Sequence, residues 1–287
     1  MKIALVGSSG YIAGFLLDRM RNDADVESVL KIGRSEPAGV YLDLQAAEQF
    51  DYEALRGVDY VIFTAAISGP DQCAREFERC WTINVTGTGY FIQEALKRGC
   101  RVLFFSSDAV FGDVPGKIYD ERSETCAQTP YGRMKKAIED RFCGEENFKA
   151  IRLSYVASAQ DRFVKYCIQC MDKDETADVF HPFYRNVVTV SDAVSAVIWM
   201  VKHWTEFEPP VLNAAGTELV SRIRIADELN RCMSGRLRYT ISFPGEDFYQ
   251  NRPQVTQMRS LYLDAYHIIS NASFTLKFQK ELEDITK

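Results

Sequence analysis

Short apolar runs alternate with amphipathic segments over the first half of the chain. The runs are KIALV at 2–6, VESVLKIGRS at 26–35, DYVIFTAA at 59–66, CRVLFFSSD at 100–108 and FKAIRLSYV at 148–156. Runs of this length indicate strands that are buried on both faces, and helical patterns separate them. The alternation predicts an α/β fold, a Rossmann-type doubly wound parallel sheet whose strands all end at one edge, where such sheets bind ligands.

Helical signals occupy the segments between these runs. Helical character extends from 15 to 23 and from 73 to 98, where the polar stretch 84–88 interrupts it. Thr129 predicts the cap of a further helix, because Pro130 suits the first turn. The segment 186–204 predicts a short strand followed by an amphipathic helix with Ser191 as its cap, and PPVLNAAG at 209–216 predicts one more strand.

Composition excludes several classes of protein. The chain has 287 residues, 46% of them hydrophobic, and a net charge of −6 without a block of Lys or Arg, so we expect no nucleic-acid partner. The apolar run at the N-terminus is too short for a signal peptide and none has the length of a membrane span, which predicts a cytoplasmic protein. The eight Cys are scattered, and the single C-x-x-C at 167–170 lacks the second pair that a zinc site needs, so no metal site is predicted.

A glycine-rich segment, GSSGYIAG at 7–14, follows the first predicted strand and opens a helix. Glycine allows a tight turn and close approach to a pyrophosphate, and the helix N-terminus offers backbone N–H groups to it. The alternative is a plain strand-to-helix turn, but the position after the first strand of a βαβ series favours dinucleotide binding. The predicted cofactor contacts in this loop are Gly7, Ser9, Gly10, Tyr11 and Ile12.

The end of the second predicted strand distinguishes NAD from NADP. An acid at this position would bind the ribose hydroxyls of NAD, whereas the chain has Arg34. A guanidinium can pair with the 2′-phosphate of NADP(H), so NADP(H) is favoured over NAD. The alternative is that Arg34 is a solvated charge in a loop. Asp43 and Leu44 are candidates to hold the adenine ring.

The rhythm of strands and helices is lost after residue 156, without a linker or an internal repeat. We therefore predict an NADP-binding Rossmann domain over 1–156, to which 186–212 also contribute. A smaller, interleaved C-terminal subdomain over 157–185 and 213–287 is predicted to bind the substrate.

Tyr131 and Lys135 form a Tyr-x-x-x-Lys pair, which a chain with 14 Tyr can contain by chance. Together with the glycine loop, four further stretches give the pair meaning: TAAIS at 64–68, WTINVTGT at 81–88, FFSSDAVFGD at 104–113 and RNVVTVSDAVSAV at 185–197. With these the chain resembles the extended short-chain dehydrogenases/reductases of the NAD-dependent epimerase/dehydratase superfamily, most closely the dTDP-4-dehydrorhamnose reductase branch. Thr64 replaces an Asn of the family pattern, Ser107 a Thr and Ala109 a Tyr.

The resemblance implies roles for individual residues. Tyr131 would be the general acid that protonates a substrate carbonyl oxygen, Ser107 would donate a second hydrogen bond to that oxygen, and the Lys135 ammonium would favour the phenolate. The implied cofactor contacts are Ala65, Ala66, Asn84, Ser106, Tyr131 and Lys135. The implied substrate contacts are Ser68, Ser107, Asp108, Arg185, Asn186 and Arg252. Asp108 can equally shape its loop, and Arg185 can equally form a structural ion pair.

The function that the resemblance implies is NADPH-dependent reduction of a nucleotide-linked 4-keto-6-deoxy sugar. One alternative is a sugar-nucleotide epimerase or dehydratase, although Arg34 argues against the bound NAD of an epimerase, and Ala109 stands where a dehydratase would have a second acid. Another alternative is a non-catalytic NADP-binding regulatory protein. A homodimer is implied as well, formed through the helices that contain YFIQEAL and MKKAIEDRF.

Overall fold

The elements follow the predicted apolar runs closely in the computed structural model, which describes residues 1–34, 39–114 and 116–286. The strands are β1 (Lys2–Val6), β2 (Ser28–Gly33), β3 (Val40–Tyr41), β4 (Tyr60–Phe63), β5 (Arg101–Ser107), β6 (Ile118–Tyr119), β7 (Phe148–Leu153), β8 (Val156–Ala157), β9 (Ala177–Phe180), β10 (Tyr184–Arg185), β11 (Val188–Thr189), β12 (Val211–Ala214), β13 (Val220–Ser221), β14 (Tyr239–Ser242) and β15 (Val255–Met258). The helices are α1 (Tyr11–Arg21), α2 (Pro70–Arg75), α3 (Phe77–Trp81), α4 (Thr88–Lys97), α5 (Pro130–Phe142), α6 (Arg162–Asp172), α7 (Val190–Lys202), α8 (Arg222–Cys232), α9 (Glu246–Tyr249), α10 (Phe274–Glu281) and α11 (Glu283–Thr286).

A seven-stranded sheet in the described part of the chain has the order β12-β7-β5-β4-β1-β2-β3. The pairs β1–β2, β1–β4, β4–β5 and β2–β3 are parallel. β1 lies between β2 and β4, so the order of strands along the chain reverses at β1. A crevice for a ligand forms beyond the carboxyl ends of the strands at such a switch point. The predicted Rossmann-type fold is confirmed.

Burial on both faces explains why these strands appear as unbroken apolar runs. Every residue of β4 and β7 is buried. Aromatic rings fill the layer between β4, β5 and α4: the ring of Phe63 lies 5.7 Å from that of Phe91 and 6.2 Å from that of Phe104. Burial of each such ring contributes about 1.5–3 kcal/mol to the stability of the sheet that carries the candidate site.

The chain divides into two units. The first comprises the described residues of Met1–Val110, Thr125–Arg152 and Val197–Leu212, and the second those of Phe111–Glu124, Leu153–Ala196 and Asn213–Lys287. Three segments of the predicted Rossmann domain, 111–124, 153–156 and 186–196, group with the second unit. Strand pairing gives the reason: β6 pairs with β15, and β11 pairs with β8.

Two local predictions need correction. Ser191 does not cap α7, which begins one residue earlier; Thr189 accepts a hydrogen bond from the backbone N–H of Asp192 at 3.3 Å instead. The polar stretch near Asn84 does not break the helical path either, because a π-helical segment, Thr82–Gly87, joins α3 to α4. Among the residues described, no helix has the length and apolar character needed to cross a membrane.

Candidate active site

The glycine loop turns tightly between β1 and α1. Gly7 has a φ of +85°, and a Cβ at this position would lie 2.7 Å from the backbone nitrogen of Ala65, so only glycine fits without a shift of the backbone. Gly10 is the N-cap residue of α1, and within the described chain no side chain caps this helix. Ser9 and Gly10 are exposed beside it. The loop therefore presents a helix N-terminus to solvent, the arrangement that binds phosphate groups.

Tyr11 and Ile12 form the start of α1, where Tyr11 is exposed and Ile12 is half-buried. Arg34 directly follows β2, is exposed and forms no ion pair with a carboxylate of the described residues. Asp43 accepts a hydrogen bond from the backbone N–H of Gln45 at 3.0 Å, so one of its oxygens already holds the turn that begins at residue 44.

The segment after β4 is held by side chains from its own unit. The hydroxyl of Thr64 donates to the carbonyl of Val6 at 2.8 Å. The buried amide of Asn84 both accepts from the backbone N–H of Ile67 at 2.9 Å and donates to its carbonyl at 2.8 Å. Asn84 thus fixes the loop that contains Ala65 and Ala66, and its direct contact with a cofactor stays a prediction. The predicted substrate contact Ser68 is exposed just beyond.

Two serines with different environments end β5. Ser106 is buried and donates a hydrogen bond to the carboxylate of Glu139 on α5. Ser107 is only partly buried, and its hydroxyl donates to Asp108 at 3.0 Å and accepts from the backbone N–H of Ala109 at 3.2 Å. Ser107 is therefore oriented by its own turn, whereas the hydroxyl of Ser106 is engaged inside the core.

The first turn of α5 packs directly against that turn. The hydroxyl of Thr129 accepts from the backbone N–H of Gly132 at 3.2 Å, which confirms the predicted cap. A Cβ at Gly132 would lie 2.0 Å from the carbonyl oxygen of Ala109, so the glycine permits the contact. Because Gly132 adjoins Tyr131 and Ala109 follows Ser107 by two residues, the contact brings the start of α5 beside the end of β5.

Lys135 lies one helical turn after Tyr131 on the same face of α5. Its side chain is buried, and Nζ donates to the carbonyl of Phe105 at 2.6 Å. Nζ also lies 5.7 Å from the centre of the Tyr131 ring and 4.4 Å from that of Phe104. The structure thus brings the two members of the Tyr-x-x-x-Lys pair together at the carboxyl end of β5.

Burial controls the protonation of this pair. It raises the pKa of Tyr131, and the nearby Cys73 thiol and Asp108 carboxyl add to the rise. The expectation that Lys135 would favour the phenolate is therefore not met. Burial also lowers the pKa of Lys135 to about 7, against the opposing influence of Glu139 and Cys73. Both effects have the same cause, because a buried site disfavours the charged form of either group.

The depressed pKa of Lys135 also couples folding to pH. The ordinary value is 10.5 and the folded value is about 7. Between these limits the unfolded chain binds the extra proton, so the contribution of Lys135 to the free energy of unfolding increases as pH rises from about 7 towards 10.5. Below about pH 7 the lysine is protonated in both states and this contribution is constant.

A buried ion pair, which the sequence reasoning missed, lies on the same helix. Glu139 and Arg152 are both buried, and the guanidinium binds the carboxylate with Nη2 at 2.6 Å and Nε at 3.1 Å. Two signals in the sequence could have revealed it. Glu139 extends the Tyr131 and Lys135 spacing by one further turn, and Arg152 interrupts the apolar run of β7.

Three predicted substrate contacts lie in the second unit. The guanidinium of Arg185 donates to the carbonyls of Tyr184 at 2.7 Å and Pro253 at 2.7 Å, and its residue is buried. The side-chain oxygen of Asn186 accepts from the backbone N–H of Met258 at 3.1 Å. Arg252 donates to the carbonyl of Phe248 at 2.9 Å. These bonds organise the strands of the unit, and contact with a substrate stays a prediction.

The first unit meets the requirements of a dinucleotide. The loop at Gly7 leaves no room for a side chain, α1 begins without a side-chain cap in the described chain, and Arg34 extends from the end of the neighbouring strand. These features lie at the carboxyl ends of β1 and β2, where doubly wound sheets bind such cofactors. The residues that would hold it are those of the glycine loop, with Ala65 and Ala66 lining the adjacent strand end.

Comparisons with known proteins agree with this fold. The spore coat polysaccharide biosynthesis protein SpsK of Bacillus subtilis (strain 168) is 24% identical over 176 residues, which are 56% of this chain; the chain spans only 62% of the length of that protein. The structure of dTDP-4-dehydrorhamnose reductase from Bacillus anthracis in complex with NADP has a TM-score of 0.83, with 17% identity and 99% of both chains covered. The structure of MoeE5 in complex with UDP-glucose and NAD has a TM-score of 0.78, with 17% identity and 100% of both chains covered.

Similarity at these identities shows a shared fold, and the two solved structures are complexes with NADP and with NAD. The match to a protein family covers more of this sequence. The model of the NAD dependent epimerase/dehydratase family matches residues 3–215. That region includes the glycine loop, both serines at the end of β5 and the Tyr131–Lys135 pair. The chain therefore belongs to the NAD dependent epimerase/dehydratase family.

Proposed function

We propose that the protein is an NADPH-dependent reductase of a nucleotide-linked 4-keto-6-deoxy sugar. The observation that carries the proposal is the packing of α5 on the turn after β5, which places the start of the Tyr131 helix beside Ser107. A phenol, a hydroxyl and an ammonium at the carboxyl edge of a dinucleotide-binding sheet can protonate and polarise a carbonyl group that receives a hydride from a bound nicotinamide. The similarity of the fold to that of dTDP-4-dehydrorhamnose reductase from Bacillus anthracis supports this substrate class.

Each of these side chains has a defined task in the proposed reaction. A bound nicotinamide supplies the hydride. Tyr131 donates its proton to the carbonyl oxygen of the substrate, and its raised pKa keeps the phenol protonated until that oxygen becomes basic. Ser107 turns its hydroxyl from Asp108 to the same oxygen while the Ala109 N–H still orients it. Lys135 contributes positive charge, which is partly lost above about pH 7.

Arg34 is the proposed determinant of NADPH preference. Arg34→Glu should weaken NADPH binding by about 10- to 100-fold, because a charge-assisted bond to the 2′-phosphate is replaced by repulsion. The dissociation constant for NADH should change by less than about threefold, since NADH has no such phosphate. Fluorescence titration with each cofactor measures both effects.

Lys31→Glu is the matched control for Arg34→Glu, because it makes the same change of charge inside β2 and not at its end. We expect it to leave the ratio of the NADPH and NADH dissociation constants unchanged. Equal losses of NADPH affinity in the two variants would mean that net charge, and not a contact from Arg34, sets the preference.

Arg185, Asn186 and Arg252 stay the proposed contacts of a nucleotide-sugar substrate. Their side chains are already held by backbone groups, which fixes their orientation before a substrate arrives. A homodimer and a cytoplasmic location stay predictions. Within the segments YFIQEAL and MKKAIEDRF, Phe91, Ile138 and Phe142 pack in the core of the first unit, whereas Tyr90 is exposed.

The direct test is turnover. The protein should oxidise NADPH in the presence of dTDP-4-keto-6-deoxyglucose or a UDP-linked analogue, followed by the loss of NADPH absorbance and by isolation of a reduced sugar nucleotide. Release of an epimerised sugar with no net oxidation of cofactor would favour the epimerase. Binding of NADPH without conversion of any keto sugar in the panel would favour the regulatory protein.

A further inference from the structure

A carboxylate at the centre of the first unit serves no function in the proposed chemistry so far. Glu139 is 4% exposed and lies on α5 one turn beyond Lys135. Arg152 from β7 binds it through Nε and Nη2, and Ser106 from β5 donates to it as well. Three elements therefore hold this carboxylate in one place, although burial of an ion pair is costly and seldom needed for stability alone.

We infer that Glu139 is a positioning residue for the proposed reduction, a fixed negative charge that keeps Lys135 cationic beside Tyr131. Arg152 and Ser106 hold the carboxylate, and Lys135 transmits its effect to the site. Only the expected effect of Glu139 on turnover rests on the proposed function. The coupling between Glu139 and Lys135 is a property of the protein itself.

Geometry and charge both support the coupling. Residues four apart share a helix face, so Glu139 follows Lys135 on the side of α5 that faces β5. The lysine donates to the carbonyl of Phe105, and the glutamate accepts from the next residue, Ser106. The two side chains therefore contact adjacent residues of one strand. Burial lowers the pKa of Lys135, and Glu139 opposes that shift.

The titratable neighbours of this pair are limited. Those facing Lys135 are Tyr131 and Glu139 on α5 and Cys73 on α2. Those facing Glu139 are Arg152 on β7, Lys135 on its own helix and Cys143 directly after that helix. Cys73 is itself buried, which raises the pKa of its thiol to about 12, so it stays neutral in the range in which Lys135 titrates. Glu139 is then the anion that can stabilise the ammonium.

The decisive variant removes both charges of the pair. Glu139→Gln alone leaves a buried guanidinium without its carboxylate and risks unfolding. The double variant Glu139→Gln with Arg152→Met carries no charge at this place, and uncharged replacement of both members of a buried ion pair is often tolerated. Removal of the arginine charge favours the lysine ammonium, so any fall in the titration midpoint of Lys135 in the double variant comes from the lost carboxylate.

The titration midpoint of Lys135 is read by NMR from its labelled ε-carbon, assigned by the loss of the signal in Lys135→Met. We expect a midpoint lower by about one pH unit or more in the double variant than in the native protein. Glu228→Gln is the control, since it removes another buried, Arg-paired carboxylate from α8 in the second unit and should leave the midpoint unchanged. An unchanged midpoint in the double variant overturns the inference.

Kinetics provide the second readout. With any substrate that is turned over, the alkaline limb of kcat should move to lower pH by the same interval as the midpoint, while KM for the sugar stays within about twofold. A uniform loss of kcat at every pH would mean a structural role and would also overturn the inference. The NMR titration needs no substrate, so a failed titration is distinct from a failure of the proposed reduction.

Discussion

Replacing Tyr131 by Phe should lower kcat for keto-sugar reduction by about 100- to 10,000-fold, the range for removal of a general acid. The phenolic oxygen is the only atom lost, so packing against Cys73, Cys80 and Met134 is retained. NADPH affinity should change by less than about threefold, because the glycine loop and Arg34 are untouched. Stopped-flow reduction together with cofactor titration separates the chemical step from binding.

Tyr60→Phe is the matched control for this substitution. It removes a phenolic oxygen from the same unit, but at the amino end of β4, where the Tyr60 hydroxyl accepts a hydrogen bond from Arg101 at 2.9 Å. We expect a loss of about 1 kcal/mol in the free energy of unfolding and an unchanged kcat. Retention of more than about a tenth of native kcat in Tyr131→Phe would show that another group supplies the proton.

The sheet was predictable from the sequence because its strands are buried on both faces. KIALV coincides with β1, and the later runs enclose β2, β4, β5 and β7 with a few extra residues at their ends. Local chemistry likewise predicted the Thr129 cap, since a side-chain oxygen three residues before a free N–H is a short-range feature. The turn of the glycine loop could be predicted for the same reason, whereas the close approach of Gly7 to Ala65 is a contact between distant residues.

Contacts between distant residues were not predictable in the same way. β6 pairs with β15 across well over a hundred residues, and nothing in the short sequence IY marks it as a strand. Asn84 and Arg185 stay predicted ligand contacts, and their polar atoms also hold backbone groups that only the fold brings near. The pKa of Tyr131 was not predictable either. Spacing along the helix reveals the nearby ammonium, but not the depth of burial that raises the pKa.

Gly87→Ala should reduce the free energy of unfolding by about 3 kcal/mol or more, although alanine is the better helix former. A Cβ at Gly87 would lie 1.8 Å from the carbonyl oxygen of Leu44, which is backbone and cannot rotate away. The π-helical segment and the turn after Asp43 would have to separate. Urea unfolding followed by circular dichroism measures the change, with the slope checked for constancy.

Gly14→Ala is the matched control, because Gly14 lies within α1 and a Cβ there would meet no atom within 4 Å. It should be neutral or stabilising by up to about 1 kcal/mol. If Gly87→Ala were as stable as Gly14→Ala, the close approach to Leu44 would not exist in solution. Since Asp43 and Leu44 are also the predicted adenine contacts, a displaced turn should weaken NADPH binding as well. Gly87→Ala should therefore show both a loss of stability and a loss of cofactor affinity. Gly14→Ala should show neither.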